Sequence, residues 1–302
     1  MDVQPENTPL RPHALVFGGS GQIGERLLAN LRAAGWQVLA VSRRAHPSQP
    51  GLQWRRGDLS QPWGAEVGHF DAVFSCGPLD HFARWYTRSA VDAPRVVAFG
   101  STSVEVKQAS AEAAERDVAQ RLRQAETQLF AAAAARNVAA TVLRPTLVYG
   151  AGRDQSLSAI AALARRSGFF VLPANANGLR QPVHVQDLAD AALAVLEHPA
   201  TAGRAYAVGG GEMLAYSEMV RRVLASLSPR PRLLQVPAGV FAWAVRIAQA
   251  AGKLPGMNGA TVQRMRAPLV FDLEPARRDF GYAPRPFLPE AAMFIAPEKP
   301  AQ

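Results

Sequence analysis

The sequence predicts an α/β protein: a doubly wound parallel sheet with a small C-terminal lobe. Three observations predict it. Short, continuous apolar runs recur through the first half of the chain, as strands buried on both faces require. Segments with helical spacing separate those runs. A glycine-rich turn joins the first run to the first helix.

The elements follow in order. Residues 13–18 read as a buried strand. Ile23, Leu27, Leu28 and Leu31 then recur at helical spacing over 22–34, and Gly35 ends that helix. Residues 37–42 (QVLAVS) form the next strand, and a third precedes Asp58. Two more lie at 70–76 (FDAVFSC) and 95–101 (RVVAFGS). A long helix is expected over 110–134, then the strand 139–145 (AATVLRP), ended by Pro145. Beyond Gly150 the pattern loosens. A helix covers 156–166, a loop rich in Asn and Gly covers 173–182, and His184 sits in a short strand-like run. Asp187 caps a helix through Leu196. A strand over 204–210, a helix over 215–227 and an apolar helix over 236–256, broken by Gly252, come next. Residues 270–295 end the fold before a polar tail. The sheet domain is assigned to 1–150 and the lobe to 151–302, with parts of the lobe returning to the first domain.

The chain has 302 residues, 48% of them hydrophobic, which is ample for a sizeable core. Its net charge is +9, carried by arginine, since Lys107, Lys253 and Lys299 are the only lysines. Such a surface attracts anionic ligands such as phosphates. No basic run is interleaved with aromatics, so nucleic acid is not an expected partner. Cys76 is alone, which excludes an internal disulfide and a cysteine-rich zinc site and makes a cytoplasmic location the expectation. The first residues lack the apolar run of a signal peptide, and no stretch has the roughly 18 apolar residues of a spanning helix. The six histidines show no ligand spacing, so no metal is expected.

Gly18, Gly21 and Gly24 form G-x-x-G-x-x-G between a strand and a helix. A tight turn must leave the strand, backbone must approach a pyrophosphate, and the helix must pack close to the strand. The helix N-terminus then offers free N–H groups to phosphate. The second strand ends in Ser-Arg-Arg. Arg43 and Arg44 stand where an acidic residue would bind a free adenine ribose. They suit a ribose 2′-phosphate instead, so NADP is the expected cofactor, with NAD as the alternative. Asp58 is placed to accept a hydrogen bond from the adenine amino group.

With these residues in view, the chain resembles the extended short-chain dehydrogenase/reductase superfamily, in particular its NAD-dependent epimerase/dehydratase group. The likeness runs over about residues 13–290. It rests on GGSGQIG, RGDL, VVAFGSTSV, LRPTLVYGAG, RQPVHVQDLADA and FDLEPARRDFGY. The resemblance implies a Rossmann-type cofactor domain, a C-terminal substrate lobe, and a carbonyl or nucleotide-sugar substrate. It extends the cofactor set to Gln22, Ile23, Leu59, Cys76 and Gly77, with Pro145 and Thr146 beside the nicotinamide. It makes Ser101 and Thr102 catalytic candidates and brings Arg180 and His184 to the substrate side. Tyr149, just after the 139–145 strand, is a further catalytic candidate. His184 reads first as a structural residue and second as an acid–base group. The oligomeric state implied is monomer or homodimer.

One family feature is missing. The usual base is a tyrosine four residues before a lysine, so that both share a helix face and the ammonium lowers the phenol pKa. No Tyr-x-x-x-Lys occurs in this chain. Anchored on Ala125-Glu126, the two positions fall on Val118 and Leu122, which continue an apolar stripe through Ala125 and Leu129. Two readings follow: an oxidoreductase with a different proton donor, or a non-catalytic dinucleotide-binding sensor, scaffold or partner subunit. Lys107, Arg121, Arg123 and Tyr86 are the remaining polar candidates near that site. The apolar 236–256 helix, with Val240, Trp243 and Ile247, reads as core or dimer packing, or as docking on a membrane surface or partner protein.

Overall fold

In a computed structural model, residues 11–59, 68–250, 263 and 265–295 are described. The first strand, β1 (His13–Phe17), is buried from Ala14 onward. It leads into α1 (Gln22–Ala33), whose Leu27, Leu28 and Leu31 face inward. Gly35 adopts φ +83° and lets the chain reverse, with Trp36 N–H returning to the Leu31 carbonyl. β2 (Gln37–Ser42) and β3 (Leu52–Arg56) extend the sheet to one side of β1.

The chain then crosses to the other side of β1. β4 (Ala72–Ser75), α2 (Leu79–Arg88), β5 (Arg95–Phe99), the short α3 (Ser103–Val106), α4 (Ala113–Ala134) and β6 (Ala139–Pro145) follow. β1 to β6 pair in parallel, and the seven-stranded order places β5-β4-β1 at the centre, with β11 (Arg204–Val208) bordering β6. The sheet is therefore wound in two directions from β1. Its winding reverses between β1 and β4, where α/β sheets open a ligand crevice.

Packing explains the continuous apolar strands. Phe17, Phe82 and Trp85 form one ring cluster, with Phe17 4.4 Å from Trp85 and 5.8 Å from Phe82 between centroids. α4 adds Ala125, Leu129 and Ala133 to this core. Each fully buried Phe contributes about 1.5–3 kcal/mol. The chain divides into two compact units, Met1–Leu143 with Ala189–Ala205, and Arg144–Leu188 with Tyr206–Gln302.

The second unit replaces one wide sheet by short pairings. β7 (Val148–Tyr149) pairs with β10 (Val183–His184), β8 (Phe169–Pro173) with β13 (Arg232–Val236), and β9 (Leu179–Arg180) with β12 (Leu214–Ala215). Its helices are α5 (Leu157–Ser167), α7 (Tyr216–Ala225), α8 (Ala238–Ala250) and α9 (Glu274–Phe280), and α6 (Val185–Ala194) leads out of β10. α6 starts two residues before Asp187, so that side chain is not the expected cap. It accepts from Arg285 instead, at 2.7 Å from Nε and 3.2 Å from the backbone N–H. The expected break at Gly252 lies outside the described residues. Among the described residues, no helix is long and apolar enough to cross a membrane.

Candidate functional site

A cleft of about 550 Å³ opens at the carboxyl ends of β1, β2 and β4. The loop after β1 forms one wall. Gly18 has φ +72°, and a Cβ there would lie 2.8 Å from the Cys76 carbonyl carbon. A Cβ on Gly24 would overlap the Gly18 carbonyl oxygen. These two glycines let the loop and α1 pack tightly. Gly21 differs: a Cβ there would meet only the Gly18 oxygen, at 3.1 Å, and Gly21 lines the cleft. Its bare backbone is open to a ligand. Gly21 is also the N-cap of α1 and supplies no side-chain cap, so the first-turn N–H groups remain for an anion. Gln22 buries a side-chain oxygen without a protein partner at this same turn. Ile23 is half-buried beside it. A narrow glycine cradle at an uncapped helix N-terminus fits a dinucleotide pyrophosphate.

The far end of the cleft is lined by Arg43, Asp58 and Leu59, and its other wall by Cys76 and Gly77. Arg44 is exposed and lies outside the lining, with its N–H directed to Ser42 Oγ at 3.2 Å. Cys76 is half-buried in this wall, and its partial burial pushes the thiol up from its ordinary value, which favours the neutral form. Three lining residues with polar side chains were not anticipated from sequence: Ser20, Ser42 and His81. Ser42 Oγ lies 3.1 Å from His46 Nε2 and 3.4 Å from Ser20 Oγ, and His46 stacks on Trp54 at 4.2 Å. His81 enters from the first turn of α2, just after β4. Only the adjacency of β4 to β1 reveals it.

Ser101 and Thr102 follow β5, the strand next to β4. Ser101 Oγ accepts the Ser103 N–H at 3.1 Å, which leaves its own O–H to donate. Thr102 is buried. On α4, Leu122 packs against the sheet core and Val118 is half-buried. Neither Tyr nor Lys occurs on this helix. The nearby cations are engaged locally: Lys107 with Glu115 at 3.6 Å, and Arg123 with Gln108 at 2.6 Å. Arg121 is exposed. Tyr86 is buried under Arg136, whose guanidinium lies 4.6 Å from the ring centre.

In the second unit, Tyr149 and His184 are brought together by the β7–β10 pairing, with ring centres 5.2 Å apart. Phe287 closes on Tyr149 at 4.9 Å. Burial, with Asp187 nearby, pushes the Tyr149 phenol up to about 12. His184 Nδ1 accepts the Gln186 N–H at 3.2 Å, which assigns the proton of the neutral ring to Nε2. Gly150, at φ +108°, leaves room for that ring where any Cβ would overlap it. Arg180 is buried, donates to the Leu179 and Ala267 carbonyls at 2.7 and 2.9 Å, and lies 5.2 Å from the Tyr216 ring centre. Pro145 closes β6, and Thr146 donates its hydroxyl to the Gln181 carbonyl. Among the described residues no group of three His, Cys, Asp or Glu side chains could hold a metal ion.

Residues 14–104 and 119–209 match the model of the NAD dependent epimerase/dehydratase family. The break between them carries Lys107 and Val118. The chain is 27% identical over 316 aligned positions to 2-alkyl-3-oxoalkanoate reductase of Stenotrophomonas maltophilia (strain K279a), covering 90% of this chain and 94% of that one. The solved structure of MoeE5 in complex with UDP-glucose and NAD is 20% identical with a TM-score of 0.66, covering 91% and 94% of the two chains. UDP-glucose 4-epimerase of Thermotoga maritima, solved with UDP-glucose, is 14% identical with a TM-score of 0.66 over 93% and 96%. The two structures share the fold, and the family match over more than half of the chain establishes that the protein belongs to the NAD-dependent epimerase/dehydratase family.

Proposed function

We propose that the protein is an NADP-linked reductase of a carbonyl compound that works without the Tyr/Lys pair. The observation that carries this reading is the cleft itself. It joins an uncapped helix N-terminus and the Gly18–Gly21 wall to Arg43 at the end of β2. A guanidinium there suits a 2′-phosphate, whereas a free ribose diol calls for a carboxylate. The relative that spans nearly the whole chain is named as a reductase. Simple reduction also asks less of a general base than epimerisation, which needs oxidation and re-reduction in one pocket.

The bound cofactor would supply hydride to the carbonyl carbon, and the oxygen must gain a proton, yielding the alcohol. Ser101 offers a hydroxyl to hydrogen-bond that oxygen. With Val118 and Leu122 in the dyad positions, the proton comes from water. Positioned acid–base groups contribute on the order of 10²–10⁴-fold, so turnover should be slow by comparison with dyad-bearing enzymes. The test is NADPH consumption over a panel of ketones, aldehydes, 3-oxo acids and nucleotide-sugar intermediates. Turnover abolished in Ser101→Ala supports the reading. Turnover untouched by substitution at Ser101, Thr102 and Tyr149 overturns the site assignment.

The absence of any Tyr or Lys on α4 favours a second reading, a dinucleotide-binding sensor or partner subunit. NADPH binding without consumption of cofactor by any member of the panel would select it.

A further inference from the structure

α8 carries apolar residues on two faces. Phe241 and Val245 are buried, while Val240, Trp243 and Ile247 are 53, 67 and 49% exposed. Their spacing of three and four puts the exposed trio in a single stripe. A surface helix of a globular protein normally turns one apolar stripe inward and a charged face outward. Here the outward face has a tryptophan at its centre and only Arg246 as a charged residue.

The sequence around α8 is one-sided in charge. Between Glu218 and Asp272 the sequence has no acidic residue and eight basic ones. Arg221 is paired with Glu218, and Arg222 with Glu212 and Glu218. Arg230, Arg232 and Arg246 are exposed. Leu234, on the strand that leads into α8, is exposed as well. Beside it lies an open hollow of about 380 Å³, lined by Arg221, Arg230 and Arg232 with Leu224, Leu233 and Leu234. Guanidinium groups set over aliphatic side chains suit a phosphodiester attached to hydrocarbon. The forks pair with phosphate oxygens and the leucines meet the apolar part.

We propose that α8 and the arginine-lined hollow ahead of it form a docking surface for an anionic phospholipid bilayer. α8 lies in the interfacial plane with Val240, Trp243 and Ile247 inserted, and Arg230 and Arg232 engage headgroup phosphates. Tryptophan favours this interface because its ring is apolar and its N–H is polar. A second copy of the chain is a poorer occupant. A two-fold contact sets a patch against itself, so like basic surfaces would face each other.

Flotation of the full chain with phosphatidylcholine vesicles, with and without phosphatidylglycerol, tests the proposal. Binding should be at least about tenfold stronger to the anionic vesicles. It should weaken as salt rises from about 0.1 M to about 1 M, where the screening length contracts from ~10 to ~3 Å. The triple change Val240→Ser, Trp243→Ser, Ile247→Ser should weaken it by roughly tenfold or more with circular dichroism unchanged. Arg230→Glu with Arg232→Glu should remove the salt-sensitive part. If the triple variant does not fold, Trp243→Phe keeps the apolar surface and still decides the matter. Vesicles must shift the wild-type emission to the blue, and that shift must vanish in this variant. No binding to anionic vesicles, equal binding by a folded triple variant, or a blue shift that survives Trp243→Phe would overturn the proposal. So would self-association by sedimentation that Trp243→Ser alone abolishes, which would identify a second copy as the occupant.

Discussion

Gly24 has no room for a side chain, because a Cβ would overlap the Gly18 carbonyl oxygen. Gly24→Ala must therefore push α1 away from the loop. It should cost about 1–3 kcal/mol of stability and lower dinucleotide affinity, read by urea denaturation and by calorimetry. This role was legible in the sequence, since glycines between a strand and a helix have few other uses. Tyr149 illustrates the opposite. Its position after a strand made it a candidate, but the packing of His184 and Phe287 around it comes from residues far along the chain. Its pKa is raised from about 10 to about 12, so the folded state holds the phenol proton longer than the unfolded chain does. That contribution is complete below pH 10 and is lost as pH rises toward 12, at up to about 1.4 kcal/mol per pH unit. Tyr149→Phe should flatten the loss of stability in this window. A wild-type and variant pair with the same slope from pH 10 to 12 would refute the assignment, and no limb of a pH–rate profile below pH 10 should belong to this residue.

At the scale of elements, α4 carries the two positions read as those of the family's Tyr/Lys pair. Leu122 packs against the same core as Ala125 and Leu129, as a helix covering a sheet requires. Leu122→Lys should lower stability by about 1–3 kcal/mol, because the ammonium loses hydration without gaining a partner. Arg121→Ala, on the exposed side of the same turn, should change stability by no more than about 0.5 kcal/mol. Equal effects in chemical denaturation would mean that the helix is turned differently. Strands and helices with a strong period were read correctly from residues alone: β1, α1, β2 and α4 fall within a few residues of their expected places. α6 was misjudged at its start because Asp187 looked like a cap. Its partner, Arg285, lies 98 residues away, and nothing local announces such a pair. His81 was missed for the same reason: its place in the cleft depends on which strands are neighbours.

At the scale of the molecule, the chain leaves its first unit at Leu143 and returns to it for Ala189–Ala205. The loosened pattern after Gly150 marks the point where short two-stranded pairings replace the wide sheet. The excess positive charge has two uses in this account, at opposite size scales: Arg43 in the nucleotide cleft and the acid-free stretch around α8. The central claim concerns the first. It is tested most directly by calorimetric titration of NADPH and NADH into the wild-type protein and Arg43→Ala. The account predicts that NADPH binds at least about tenfold more tightly than NADH, a difference of about 1.4 kcal/mol, and that Arg43→Ala removes most of this preference while leaving NADH binding nearly unchanged. Equal affinities in the wild type, a preference for NADH that persists in the variant, or no binding of either dinucleotide would contradict it.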